Sequence, residues 1–449
     1  MRFRIFFHLI FLLLFTSSVS SQEAHIEEKI QSITSQVSTD RLKSDIERLV
    51  GFYNRNTFSD TVSETRGIGA ARRWLYSEFQ EINQQTGGRM KVTFDYFYQK
   101  ISDRYKNALG VDSLRMANVI AVIPGTRSDR ILHINGHFDS RSYSGSDAEG
   151  FAPGADDDGS GTVALLELAR VLSKERFTNT IMLAAVAGEE QGLWGSTHIA
   201  GTAIEQGMRI EGVIANDMIG NIIGGDGRSD STILRCFSPD PVDSPSRNWA
   251  LYLYKNSEEY FPDLKLKMIF RLDRFGRGGD HSPFIRQGFA GVRFTEPYEN
   301  YAVQHSPHDT QEKMSFEYLT RTTQLNAALA AYWANSPAPP TVVSIRRDSA
   351  YQTVISFTCE EPKNTLKGFN VVMRETDQGY WTESRFFPTP EEEDSRFWGK
   401  VYRIILQDRD QDYIIFGLAS VNTEGYESIA TTFDMQRMRE RLRGMRRRR

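Results

Sequence analysis

The chain has 449 residues, of which 39% are hydrophobic and 25% charged, with a formal net charge of −4 at pH 7. That length points to two domains or three, and the composition allows a large core. The near-neutral balance gives no support for nucleic-acid binding, which usually needs a basic face, and two cysteines are too few for a disulfide scaffold.

At the start of the chain, Arg2 and Arg4 precede an apolar run from Ile5 to Phe15, broken only by His8. Ser17, Ser18, Ser20 and Ser21 follow. The order basic, apolar, small predicts a secretory signal peptide over 1–21, and the run is short for a membrane span. A retained N-terminal anchor is the competing reading. No later stretch has transmembrane length, so the expectation is an exported protein, secreted or periplasmic, without an integral membrane span.

Residues 22–50 carry helical patterning. Gly67-Ile68-Gly69-Ala70-Ala71-Arg72-Arg73-Trp74-Leu75 opens an amphipathic helix running to about Ile82. Short apolar runs then follow at Val119–Val122, Ile131–Ile134, Ile181–Ala187, Gly212–Ala215 and Gly291–Phe294, as buried strands do. Ser160 to Ser173 reads as a helix, with Val163, Leu166, Ala169 and Leu172 along one face. A last helix runs from an N-cap at about Ser315 to Trp333. Alternating strands and helices predict an α/β domain over 22–335, a mostly parallel sheet with helices on both faces.

Ser336-Pro337-Ala338-Pro339-Pro340 interrupts regular structure and reads as a linker. Thr353–Cys359, Gly368–Arg374, Val401–Leu406 and Tyr413–Val421 then read as strands of an all-β sandwich over 341–433. Cys359 continues a face with Ile355 and Phe357, which suits a buried small hydrophobe. Export would permit a bridge to Cys236, but the sequence does not establish one. Residues 434–449 form a basic tail, read as a solvated charged segment, with contact to an anionic surface or partner as the sharper alternative.

The histidines and carboxylates fall in a pattern on this strand map. His137 and Asp139 lie just past Ile131–Ile134. Asp156, Asp157 and Asp158 fill a Gly-flanked loop before the Ser160 helix. Glu189 and Glu190 follow Ile181–Ala187, Asp217 follows Gly212–Ala215, and His305 lies in the loop after Gly291–Phe294. All sit at the C-terminal ends of predicted parallel strands, where open α/β sheets place their sites. So many carboxylates crowded together would repel one another unless divalent cations neutralised them. Imidazole and carboxylate ligands suit zinc, and two metals sharing a bridging carboxylate, about 3.5–4 Å apart, would engage the whole set. Glu391-Glu392-Glu393, by contrast, reads as a solvated face.

Five segments in order resemble the motif series of the M28 zinc aminopeptidases. They are His137-Phe138-Asp139, Gly154-Ala155-Asp156-Asp157-Asp158-Gly159-Ser160-Gly161, Gly188-Glu189-Glu190-Gln191-Gly192-Leu193-Trp194-Gly195-Ser196, Asn216-Asp217-Met218 and His305-Ser306-Pro307-His308-Asp309-Thr310. The similarity extends upstream to Asn118-Val119-Ile120-Ala121 and covers roughly 60–335. It implies His137 and Asp217 on one Zn2+, Glu190 and His305 on a second, and Asp157 bridging them. It implies Glu189 as general base toward a water activated between the two, and Asp139 as the partner fixing the His137 tautomer. The substrate class would be peptides or proteins, cut at a free N-terminus.

His308 and Asp309 are read as loop-shaping, Asp280 and His281 as support or pocket lining, and His133 and His198 as framework. Gln304 stands where some relatives carry Tyr, which leaves Tyr298 or Tyr301 as candidates for an oxyanion donor. The ending Gly417-Leu418-Ala419-Ser420-Val421-Asn422 through Gly425 resembles the last strand of fibronectin type III domains. Three other readings stay open. They are a glutaminyl cyclase-like transferase using one zinc, a carboxypeptidase on the same fold, and a non-enzymatic binding module.

Overall fold

The computed structural model describes residues 22–433, apart from 104, 107–109, 240, 350, 397, 408 and 410. The signal-peptide reading over 1–21 and the basic tail over 434–449 lie outside the described residues. No described helix is long and apolar enough to cross a membrane. The chain divides into two compact units.

The larger unit, Ile30–Asp240 with Leu253–Ala334, is built on an eight-stranded sheet. In chain order its strands are β1 (Lys91–Lys100), β2 (Ser113–Ile123), β3 (Arg127–His137), β4 (Asn179–Val186), β5 (Ile210–Asn216), β6 (Ile233–Phe237), β7 (Lys265–Ile269) and β8 (Gly291–Thr295). They lie in the order β1-β2-β4-β3-β5-β8-β6-β7. The central four, β4-β3-β5-β8, run parallel, while β2 joins them antiparallel on one side and β6 on the other. Every residue of β4 and of β8 is buried, the continuous burial of strands covered on both faces.

Helix Gly159–Leu172 packs on β3 and β4, with helices Thr39–Val50, Gly67–Gln85 and Phe316–Trp333 against it. Helices Trp194–Glu205 and His281–Arg286 meet β4, β5 and neighbouring strands through Ile131, Val186, Ile199, Ala203, Val213 and Phe284. Ser315 does cap Phe316–Trp333, its hydroxyl accepting from the Tyr318 N–H. The stretch read as one helical region over 22–50 is two helices, 22–34 and Thr39–Val50, the second capped by Ser38. In this unit three strands went unread: β1, an edge strand with two buried residues, the five-residue β7 at the far edge and the five-residue β6 beside it.

The second unit runs from Asn335 onward and takes in Pro241–Tyr252 and the stretch ending at Lys29. Its strands are β9 (Thr341–Ser349), β10 (Gln352–Thr358), β11 (Leu366–Glu375), β12 (Glu383–Pro388), β13 (Glu393–Ser395), β14 (Gly399–Gln407), β15 (Ile414–Asn422) and β16 (Thr431–Thr432). They form two antiparallel four-stranded sheets, β13-β14-β10-β9 and β12-β11-β15-β16. Ile355, Phe357, Tyr402 and Ile404 from one sheet and Phe369, Val371, Phe416 and Leu418 from the other share one core. Ser336–Pro340 has no regular structure but is pinned within this unit. The Ser420 hydroxyl donates to the Ala338 carbonyl at 2.6 Å and the Thr431 hydroxyl to that of Pro340 at 2.6 Å. Hydrogen bonds also tie in the two outlying segments, Arg374 Nη2 to the Val242 carbonyl at 2.7 Å and Lys367 Nζ to Gln22 Oε1 at 2.9 Å. Neither Cys236 nor Cys359 forms a disulfide.

Candidate metal centre

Strand register decides what meets at the sheet edge. His137 stands opposite Val186, and Asn216 opposite Phe294, so the loops leaving β3, β4, β5 and β8 all emerge together. Helix Gly159–Leu172 begins at the same edge with Asp158 as its N-cap. The Asp158 carboxylate accepts from the N–H groups of His137 (2.9 Å), Gly161 (2.9 Å) and Met218 (3.2 Å), so one side chain ties two strand ends to the helix start. Asp309 accepts from the N–H groups of Asp156 and Asp157, one on each carboxylate oxygen, both at 3.0 Å. Asp139 takes the N–H groups of Gly188 (2.9 Å), Glu189 (3.2 Å) and Glu190 (3.3 Å). Three buried aspartates thus hold the loops by backbone contacts, which is what a rigid site requires.

The five residues read as ligands come together as two triads sharing one member. Donor atoms of His137, Asp157 and Asp217 lie within 4.8 Å of one another, and so do those of Asp157, Glu190 and His305. Asp157 is central: Oδ1 lies 3.3 Å from His137 Nε2 and Oδ2 lies 3.0 Å from His305 Nε2. His305 Nε2 is also 3.3 Å from Glu190 Oε2, and Glu190 Oε1 is buried with no hydrogen-bond partner. An orphaned buried carboxylate oxygen beside converging donors fits a divalent cation, and a mixed imidazole and carboxylate set suits zinc. Arg293, buried within β8, donates from Nε to Asp217 Oδ2 at 3.0 Å and lies 3.2 Å from Asp273. Arg141 stands 3.6 Å from Glu190 Oε2.

Electrostatics agree with a site built for positive charge. Burial, with repulsion from Asp157 and Glu189, raises the Glu190 carboxyl well above the usual range. Burial also raises Glu189, reinforced by Asp217 and Asp280 and opposed by His137. At Asp157 burial is outweighed by the two histidines, which hold its carboxyl well below the usual range. At His137 burial opposes charging, yet Asp139 and Asp157 keep its pKa well above that of a free imidazole. Asp280 is pushed up to about 7 by burial, and Asp156 to about 6.

One expectation needs adjusting. Asp139 does reach His137, but the ring Nδ1 bonds to the Asp139 backbone carbonyl at 3.1 Å, while the carboxylate lies 3.7 Å away and serves the 188–190 turn. Three backbone N–H groups outweigh a single imidazole in setting where that carboxylate points. Tyr298 carries the Arg228 guanidinium over its ring, and Tyr301 is exposed. His133 bonds to Asn135 and packs on Phe284, and His198 stacks on Phe97 beside Asp95. His281 donates to the Leu272 carbonyl and Asp280 accepts from Ser196. Arg293 and Arg141 went unread. Arg293 left a usable signal, a lone charge inside the apolar run Gly291–Thr295, which must find an anion.

A family model described as Peptidase family M28 matches residues 118–330. A relative from Pyrenophora tritici-repentis, described as a probable zinc metalloprotease, is 33% identical over 433 residues, covering 90% of this chain and 97% of the relative. Another from Phaeosphaeria nodorum, described in the same words, is 34% identical over 445 residues, covering 90% and 87%. Among solved structures, the LapA aminopeptidase of Legionella pneumophila superimposes with a TM-score of 0.55 at 21% identity, covering 69% of this chain and 75% of that one. A glutaminyl cyclase from Macrostomum lignano gives 0.52 at 18%, covering 67% and 91%. These two likenesses concern the fold alone.

Proposed function

Since the chain belongs to peptidase family M28 and is a zinc metallopeptidase, we propose that it is an exported aminopeptidase working with two zinc ions and Glu189 as general base. The observation that carries this reading is the pair of donor triads sharing Asp157. His137 and Asp217 would complete one site, and Glu190 and His305 the other. When bound, the zinc pair supplies Lewis acidity, lowering the pKa of water in the site toward 7.

The chain's own residues do the rest. Glu189 sits on the turn whose backbone Asp139 grips. A carboxyl raised by burial is a better proton acceptor than a solvated one, and once protonated it holds the proton within the site for the leaving amine. Asp158 and Asp309 fix the backbone of His137 and Asp157, so neither ligand has to be ordered when substrate arrives. Arg293 orients Asp217 through one oxygen. We read the C-terminal sandwich as a fibronectin type III-like module, and the first 21 residues as removed on export.

Incubating one mixed peptide pool, half with free and half with acetylated N-termini, with and without a zinc chelator, tests the activity. The expected result is chelator-sensitive loss of single residues from free N-termini only. Removal from the C-terminus, or cyclisation of N-terminal glutamine in its place, overturns the specificity. Metal analysis of the purified chain should return close to two zinc ions, and one would sink the two-metal reading. Mass spectrometry of exported protein should give an N-terminus at or near Gln22.

A further inference from the structure

A carboxylate that serves two metal sites must face a different one with each oxygen. Free rotation about its Cβ–Cγ bond, a broad torsion, would let both oxygens turn to the same side. In Asp157 the oxygens are divided, Oδ1 lying 3.3 Å from His137 Nε2 and Oδ2 3.0 Å from His305 Nε2. On one side packing does not enforce this, because Asp157 borders a cavity of about 320 Å³ rather than packed side chains.

Gln304 stands in the same cavity wall, and its Nε2 donates to Asp157 Oδ2 at 3.0 Å. The direction of that bond is set by chemistry, since an ionised carboxylate only accepts. Gln304 and His305 thus converge on one oxygen from adjacent positions. The chain is kinked where they do so: His305 has φ 56°, a left-handed conformation disfavoured for residues other than glycine. The Gln304 N–H donates to the Asn300 carbonyl at 2.9 Å, and the Ser306 hydroxyl to that of Val303 at 2.6 Å, so the amide stands on a tied-down turn. Its other end has no such use. Gln304 Oε1 is buried without a hydrogen-bond partner, a cost that methionine or leucine in its place would avoid.

An amide that leaves its acceptor unpaired is retained for its donor. We propose that Gln304 is a positioning residue, whose amide holds Asp157 with one oxygen toward each zinc site and so sets how tightly the second zinc ion binds. Hydrogen bonds to a ligating carboxylate are the general means of fixing its orientation. The inference rests on the two-zinc reading.

The test compares the full chain with Gln304→Met and Gln304→Leu, two apolar replacements that remove the donor and differ in shape. Competition with a chromogenic chelator reads the zinc affinities step by step. Wild type should fill two sites, and in both variants one step should weaken about ten- to a hundredfold while the other moves far less. Melting of the chelated chain is the second readout. With no metal to serve, the variants should melt no lower than wild type, because an orphaned acceptor leaves together with the hydrogen bond. Turnover of a peptide with a free N-terminus should be low at limiting zinc and climb with occupancy as zinc is added, with KM steady.

Wild-type affinity at both steps in the variants overturns the inference. So does a chelated melting point that falls as far as the zinc-loaded one, since Gln304 would then serve packing alone. Turnover that stays low with both zinc ions bound also overturns it, since the amide would then act on the substrate. A wild type holding one zinc ion ends the two-metal reading and this inference with it. If wild type holds two, the variants lose one step and no peptide is trimmed, the positioning role stands and the aminopeptidase reading alone has failed.

Discussion

Glu189 and Glu190 are neighbours in sequence with unlike surroundings, and their variants should separate cleanly. Glu189→Gln keeps the Asp139 contact to its backbone, so fold and zinc content should survive while turnover falls about a hundred- to ten-thousand-fold. Retention of most of the rate in that variant would remove Glu189 as the base. Asp309→Asn places an amide donor against one of two buried N–H groups, which should cost about 1–3 kcal/mol and hasten zinc loss, read by thermal melting and by competition with a chromogenic chelator. Acidity gives a third outcome. Asp280 rises to about 7 through burial, above its unfolded value, so its contribution to stability is complete below about pH 4 and lost as pH climbs through 7. Asp156, raised to about 6, acts in the same direction. Asp273, held at about 2 by Arg293 and Arg274 against burial, loses its contribution only as pH falls toward that value. The chelated chain should therefore melt lower at pH 8 than at pH 5, and saturating zinc should reverse the order because it binds deprotonated ligands. A chelated melting point flat across that range would contradict this.

At the scale of elements, the metal edge depends on close packing where β4 turns into helix Trp194–Glu205. The Asn118 side chain accepts from the Ala187 N–H at 3.0 Å and donates to the Gly195 carbonyl at 3.3 Å, joining β2, the end of β4 and the helix start. This is the physical content of the upstream motif at Asn118. A Cβ at Gly195 would fall 2.3 Å from Asn118 Oδ1 and 2.7 Å from the Ala187 backbone, so no side chain fits there. Gly195→Ala should destabilise by about 1–3 kcal/mol and also lower kcat, because Glu189 and Glu190 lie on the turn that must shift. Unchanged kcat with lowered stability would detach this packing from the site. Helices Gly159–Leu172 and Phe316–Trp333 were legible to within a residue or two because each has an N-cap and a regular apolar face. β1, β6 and β7 were not, since each buries only two or three residues and leaves a weaker pattern.

Across the whole molecule, each compact unit has a core of its own. Phe369, fully buried between Phe357 and Tyr402, anchors the sandwich, and Phe369→Ala should cost it about 3–5 kcal/mol. Scanning calorimetry should show that loss in a transition that a chelator leaves unmoved, and a chelator-sensitive transition would show the two units melting as one. The sequence by itself determined the central parallel strands and the helices that alternate with them, the class of both units and the chemistry-bearing residues at those strand ends, because periodicity, caps and Gly-flanked turns are local properties. Only the tertiary structure decided which donor atoms converge, since that depends on the parallel register that sets His137 beside Val186 and Asn216 beside Phe294. It alone showed that Asp139 turns its carboxylate to the 188–190 backbone, that Arg293 reaches Asp217, and that Pro241–Tyr252 joins the C-terminal unit. Those pairings join residues from 49 to more than 100 positions apart. No periodic signal crosses such distances, and packing in three dimensions settles them.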